Sequence, residues 1–112
     1  MPELSQMNCV SVEKGASLLP AEDVARYIKQ VPDWEIITEN EEQRLRRVFK
    51  FGNFAAALDF TNRVGQLAEQ QNHHPALLTE WGRVTVSWWT HTVRGLHLND
   101  FIMAARTDQQ YQ

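Results

Sequence analysis

Residues 69–81, EQQNHHPALLTEW, mark the point where a long helical pattern gives way to a strand pattern. Upstream, residues 54–71 repeat apolar side chains at helical spacing, and Asn53 is a favourable N-cap for that helix. The helix is expected to end before Pro75, because a proline disfavours the α region for the residue that precedes it, here His74. The stretch therefore predicts a central helix that runs directly into a strand.

The segments on either side of this junction predict two β-hairpins and two further helices. Alternating side chains in the strands and i, i+3, i+4 spacing in the helices support these assignments. Two hairpins cannot bury their apolar faces alone, so we expect an α+β domain in which three helices cover one face of a four-stranded antiparallel sheet. The predicted order is αββαββα, with helices over about 20–30, 54–71 and 98–108 and hairpins over about 34–51 and 76–91.

The length of 112 residues suits one domain, and 43% apolar residues with four tryptophans suffice for a packed core. Residues 1–18 lack periodicity, so we predict a flexible leader there and a single domain over 19–112. Cys9, the only cysteine, is expected to be a plain thiol, since no intrachain disulfide is possible.

Charge and hydropathy exclude several classes of function. Eleven scattered basic residues against 14 acidic ones give a net charge of −3, so direct nucleic-acid binding is not expected. The sequence shows neither a secretory signal nor an apolar run of the roughly 18 residues needed to span a membrane. These features predict a cytoplasmic protein that does not bind membranes.

Three histidines and two carboxylates are candidates for a functional site. His73 and His74 lie at the helix-to-strand junction, where extended neighbours point in opposite directions, and Glu69 lies four residues upstream. His91 is expected to end the fourth strand, and Asp100 follows nine residues later at the start of the last helix. Imidazoles titrate near pH 6.5, so this set suits acid/base chemistry on two sides of a flat ligand.

Other interpretations of the same residues stay open. His73 and His74 could cap the helix C-terminus, and Asp100 could serve only as a first-turn acid. Glu69 could join the three histidines in a metal site, although no HxH, HxxxH or CxxC spacing is present. We assign no role to His97. The side chains of Trp34, Trp88 and Trp89 are more typical of a core or an interface than of a ligand platform, although at least one large ring is expected to face away from the helices.

A set of short motifs resembles the pterin-4a-carbinolamine dehydratase family, also called 4a-hydroxytetrahydrobiopterin dehydratase. They are Glu69, NHHP at 72–75, TH at 90–91, GL at 95–96 and Asp100. The resemblance is specific, because the ExxxHHP element and the 17- and nine-residue steps to His91 and Asp100 hold together. It covers about residues 20–106. The tail, GLHLNDFIMAARTD at 95–108, is similar to the tails of bacterial members.

The resemblance implies dehydration of 4a-hydroxytetrahydrobiopterin to quinonoid dihydropterin and water, with no metal and no cofactor other than the pterin substrate. It implies a functional link to an aromatic amino-acid hydroxylase. Independently of the resemblance, two hairpins and three amphipathic helices are too small to hide every edge, so we expect a homodimer or homotetramer. The resemblance also implies His73 and His74 as the acid/base pair and His91 as a third catalytic histidine, with Glu69 and Asp100 in support. The same three histidines and the segments around them are implied to contact the substrate, together with Pro75, Thr90, Thr92, Val93 and Trp34.

A function without catalysis is the alternative. Animal members of this family also act as dimerisation cofactors for a transcription factor, and such a binding role would leave the histidines unused.

Overall fold

The computed structural model describes residues 3–111 as three helices and one four-stranded antiparallel sheet. Met1 and Pro2 of the predicted leader, and Gln112 at the end of the predicted domain, lie outside the described residues. The α+β class and the αββαββα order are confirmed. The helices are α1 (Ala21–Tyr27), α2 (Phe54–Gln71) and α3 (Leu98–Gln110), and the strands are β1 (Glu35–Glu39), β2 (Glu42–Lys50), β3 (Ala76–Glu80) and β4 (Arg83–Trp88).

The sheet has the strand order β1-β2-β4-β3, so the two hairpins meet where β2 pairs with β4. Alternation along these central strands sends one set of side chains into the core. Leu45 pairs with Trp88 and Phe49 pairs with Val84, and all four side chains are fully buried. Helices α2 and α3 pack on this apolar face, and Tyr27 of α1 contacts Phe101 of α3.

The bounds of α2 follow from its two caps. The Asn53 side chain accepts a hydrogen bond from the backbone N–H of Ala56 at 2.8 Å, as the sequence predicted. The helix ends at Asn72, which adopts the left-handed conformation with φ 52°, and the backbone N–H of His73 donates to the carbonyl of Ala68. Backbone groups therefore close this helix end, and the histidine side chains are left for other contacts.

Helix α3 is covered on more than one side. Seven consecutive residues, 99–105, are buried, although the sequence predicted only a stripe facing the sheet. The leader accounts for the difference: Leu4, in a 3₁₀ turn over Leu4–Gln6, is fully buried, and Arg106 donates to the carbonyl of Met7. The flexibility predicted for residues 1–18 stays a prediction, but residues 4–10 make contacts that a loose segment would not make.

Within residues 3–111, none of the helices is both long and apolar enough to cross a membrane.

Candidate active site

A cavity of about 450 Å³ opens where three chain segments meet: the junction after α2, the turn that follows β4 and the first turn of α3. All three predicted catalytic histidines border this cavity. Part of the leader forms another side. The lining residues are Val10, Ser11, Val12, Asn72, His73, His74, Pro75, Trp89, Thr90, His91, Thr92 and Asn99.

His73 is the most constrained of the three histidines. Its Nε2 lies 2.7 Å from Oδ1 of Asp100, and its side chain is only 12% exposed. The ring also stacks on the indole of Trp88. A carboxylate oxygen accepts hydrogen bonds, so Nε2 carries the proton and Nδ1 keeps its lone pair. His73 can therefore accept a proton at Nδ1 while Asp100 stabilises the imidazolium that results.

Asp100 is fully buried and accepts three hydrogen bonds. Oδ1 faces His73, and Oδ2 accepts from the Thr90 hydroxyl at 2.8 Å and from the backbone N–H of His97 at 2.9 Å. The bond to His97 belongs to a capping box at the start of α3. The interpretations of Asp100 as a first-turn acid and as a partner of a site histidine are therefore both compatible with the structure.

His97 is the N-cap of α3, a role that the sequence did not assign to it. Its Nδ1 accepts a hydrogen bond from the backbone N–H of Asn99 at 3.0 Å, so this nitrogen must be unprotonated. Burial lowers the pKa of His97 below its usual 6.5, and the nearby His73 acts in the same direction, against the charge of Asp100. Histidine is an uncommon cap, so its residue type carried no signal of this contact.

His74 points away from His73 and toward solvent. Its Nε2 pairs with a carboxylate oxygen of Glu69, and both side chains are more than half exposed. The neighbouring histidines therefore present one buried and one solvated imidazole to the same cavity. Glu69 itself touches His74 but does not line the cavity.

The prediction that His91 ends the fourth strand is wrong, because β4 stops at Trp88. The chain then turns back through a bridge between Thr90 and Gly95, and His91 begins a 3₁₀ turn over His91–Val93. His91 is exposed and lies at the cavity rim. Thr90 and Thr92 line the cavity, whereas Val93 is buried and does not line it.

Trp89 is a cavity residue whose role the sequence left open between packing and ligand binding. Its ring contacts His91 with centroids 4.9 Å apart, and the guanidinium of Arg44 lies over it at 3.9 Å. The indole Nε1 is buried without a hydrogen-bond partner in the part of the chain that the structure describes. Trp89 therefore offers an apolar surface held in place by a cation–π contact.

Trp34 does not reach this cavity in the single chain, in contrast to the contact that the resemblance implied. Its indole N–H donates to Asp108 at 2.8 Å, and its ring packs edge-on against Phe49. Asp108 lies two turns beyond Asp100 on α3, so Trp34 packs near the opposite end of that helix. Burial raises the pKa of Asp108, although the Trp34 N–H and the Arg47 guanidinium oppose this shift.

No group of three or more His, Cys, Asp or Glu side chains within residues 3–111 is arranged to hold a metal ion. The absence of a metal from the reaction stays a prediction.

Comparison with known proteins relates the chain to one family along nearly its whole length. The sequence profile described as pterin 4 alpha carbinolamine dehydratase matches residues 17–110. Proteins provisionally named pterin-4-alpha-carbinolamine dehydratase include one from Nitrosococcus oceani, 59% identical over 109 residues, which are 97% of this chain and 96% of that protein. Another, from Microcystis aeruginosa, is 53% identical over 112 residues, covering 100% of this chain and 97% of that protein.

Solved structures share the fold at lower identity. A transcriptional coactivator/pterin dehydratase from Brucella melitensis superposes with a TM-score of 0.77 at 24% identity, covering 86% of this chain and 100% of that one. A pterin dehydratase-like RuBisCO assembly factor of the alpha-carboxysome gives 0.61 at 22% identity, covering 70% and 89%. The sequence profile and the close relatives lead to one conclusion: the chain belongs to the pterin-4-alpha-carbinolamine dehydratase family.

Proposed function

We propose that the chain catalyses the dehydration of a 4a-hydroxytetrahydropterin to quinonoid dihydropterin and water by general acid/base catalysis. The observation that carries this proposal is the contact between His73 and the buried Asp100 at the edge of a cavity that His74 and His91 also line. A cavity of about 450 Å³ lies within the size range of small-molecule sites.

The reaction breaks the C4a–O bond and the N5–H bond and forms a C4a=N5 double bond. The hydroxyl group needs a proton to leave as water, and N5 must give up its proton to a base. We assign the base to His73, because Asp100 lies behind Nε2 and stabilises the positive charge that the ring acquires. We assign the acid to His74 or His91, since a protonated imidazole costs less free energy where water can reach it.

The supporting carboxylates act differently in this scheme. Asp100 fixes the tautomer and orientation of His73 from a fully buried position. Glu69 reaches only His74, and the pair is solvated, so its contribution to the rate is expected to be small.

The wider setting of the reaction is part of the same proposal. The product, a quinonoid dihydropterin, would return to the pterin pool of an aromatic amino-acid hydroxylase. Strands β1 and β3 are the two edges of the sheet within the chain, and unpaired edges favour pairing with another copy. We therefore expect a homodimer or homotetramer, which sedimentation at micromolar concentration would distinguish from a monomer.

A stopped-flow assay of carbinolamine disappearance, with and without the protein, tests the activity directly. His73→Ala, His74→Ala and His91→Ala should each lower kcat by at least about tenfold, and the double variant at 73 and 74 should lower it further. Lys29→Ala, an exposed residue outside the cavity, is the control and should keep the wild-type rate. Wild-type kcat in all three histidine variants, combined with lower thermal midpoints, would make the histidines structural and refute the proposal.

The alternative, binding to a transcription regulator without catalysis, has less support. A pure binding module has no need for an imidazole whose tautomer is fixed by a buried carboxylate, and such a pairing is typical of acid/base sites. If a chain carrying all three histidine substitutions still copurified with a helical regulator, that alternative would be favoured.

A further inference from the structure

The leader crosses one side of the cavity as a strap, which we define as residues Val10–Leu18. Its upstream end is held by the side-chain amide of Asn99: the N–H of Val10 donates to Oδ1 at 3.0 Å, and Nδ2 donates back to the Val10 carbonyl at 2.7 Å. Its downstream end is held where Leu19 N–H donates to the carbonyl of Leu96 at 3.1 Å.

The downstream end lies unusually close to the turn that carries His91. A Cβ atom placed on Gly95 would stand 2.6 Å from Cδ2 of Leu18, so a larger residue at this position would force the Leu18 side chain to shift. The two ends together place the strap between α3 and the turn after β4.

Val10, Ser11 and Val12 line the same cavity as the histidines. Two of the three side chains are apolar, so they can pack against the face of a flat ring. The backbone groups of Ser11 and Val12 make no hydrogen bond within residues 3–111 and stay available to a ligand. A bicyclic pterin combines both needs, because it has apolar faces and an edge of hydrogen-bond donors and acceptors.

Asn99 connects this wall to the catalytic histidines. It is 1% exposed and directly precedes Asp100 on α3. Consecutive residues of one helix turn therefore hold the two sides of the cavity: Asp100 holds His73, and Asn99 holds the strap.

We propose that Val10–Val12 form a substrate-binding wall for the pterin ring and that Asn99 is the residue that positions it. This inference rests on the proposed dehydratase function and extends it to a segment outside the motif residues. The wall contacts the substrate in both its ground state and its transition state, so it contributes to KM more than to kcat.

Kinetics of two variants on α3, each of which loses a contact with the leader, test the positioning role. Asn99→Ala removes both hydrogen bonds to Val10, and we expect KM to rise about tenfold while kcat changes by less than about threefold. Arg106→Ala is the matched control, because it releases the leader at Met7 and Asn8 but leaves the Asn99 contacts in place. Its KM should stay within about twofold of wild type. A fall in kcat at unchanged KM in Asn99→Ala would show that Asn99 acts through Asp100 and would overturn the inference, as would wild-type values of both constants.

A binding experiment on the wild-type chain decides the question even if Asn99→Ala fails to fold. The probe is a 7,8-dihydropterin, which has the bicyclic ring but no 4a hydroxyl. Its binding is monitored through changes in the backbone amide NMR shifts of the protein. Shifts at Ser11 and Val12 together with His73 and His74 would support the wall. Shifts at the histidines without the strap would refute it and leave the proposed function standing, whereas no binding at all would refute both.

Discussion

The imidazole of His73 lies parallel to the indole of Trp88, with ring centroids 5.8 Å apart and planes inclined by 8°. Trp88 is fully buried and donates its own N–H to Thr107 on α3, so the surface under the histidine is fixed. Trp88 covers one face of the His73 ring, and Nε2 is hydrogen-bonded to Asp100. Nδ1 is therefore the nitrogen through which His73 can exchange a proton. This geometry predicts that neutral His73 carries its proton on Nε2, and NMR can test that prediction.

Replacement of Asp100 by Asn should lower both activity and stability. An amide cannot accept from His73, Thr90 and His97 at once, because one of its two terminal atoms is a donor. We expect kcat to fall at least about tenfold and the thermal midpoint to fall by about 5 °C or more. Assays of kcat and thermal unfolding measure both effects, and ¹⁵N NMR reports the tautomer of His73.

Thr90→Val is the control for Asp100→Asn. It removes one hydrogen bond to Oδ2 but leaves the carboxylate beside His73. It should lower the thermal midpoint while lowering kcat much less than Asp100→Asn does. An Asp100→Asn protein that keeps both wild-type kcat and the wild-type His73 tautomer would show that this carboxylate serves only the helix.

The two members of the His74 and Glu69 pair should differ in their effect on the rate. Glu69 is 77% exposed, and solvent screens its interaction with His74. We expect Glu69→Gln to change kcat by less than about threefold, while His74→Ala lowers it by at least about tenfold. Steady-state kinetics on both variants provides the comparison, and equal losses would mean that Glu69 shares directly in proton transfer.

His97 should make stability depend on pH. Its pKa in the folded chain lies below the ordinary 6.5, so the unfolded chain binds more protons as pH falls. The stabilisation is complete above pH 6.5 and is lost as pH falls from there toward the lower folded value. The physical reason is that protonated Nδ1 cannot accept the Asn99 N–H.

Thermal midpoints at pH 7 and pH 5 test this dependence against His97→Ser, whose hydroxyl can cap the same amide without titrating. The wild-type midpoint should fall more than that of the variant between the two pH values. Parallel curves for the two proteins would assign the pH dependence to other groups.

Cys9 should react slowly with thiol reagents. Burial raises its pKa to about 11, with Asp100 adding to the effect. At pH 8 this leaves on the order of one thiol in a thousand ionised, so labelling should be roughly a hundredfold slower than for the unfolded chain. Labelling rates with and without denaturant measure the ratio. Fast labelling of the folded chain would mean that residues 4–10 leave α3 readily, as the flexible leader predicted.

The element order was predictable because its signals are local. Asn53 caps α2, and the turn at Gly82, with φ 82°, joins β3 to β4 within the predicted hairpin. His73 and His74 could be placed at a junction for the same reason. Pro75 restricts the backbone conformation of the preceding residue, His74, independently of contacts with the rest of the chain.

The parts that could not be predicted depend on contacts between distant residues. The bonds between Val10 and Asn99 join residues 89 positions apart, and nothing in residues 1–18 shows a period that would reveal them. The uninterrupted apolar run FIMAA at 101–105 was the one available signal, since a helix that is apolar on several sides needs a second cover. His91 was misplaced because alternation continues through Trp89, while the Thr90–Gly95 bridge ends the strand.

The triple role of Asp100 has a consequence for protein engineering. One carboxylate orients His73, anchors Thr90 and closes the first turn of α3, so a library randomised at this position would lose activity and folding together. Positions 10–12 carry no such double duty in the structure. A directed-evolution campaign that seeks a different pterin preference should therefore diversify those positions and leave Asp100 unchanged.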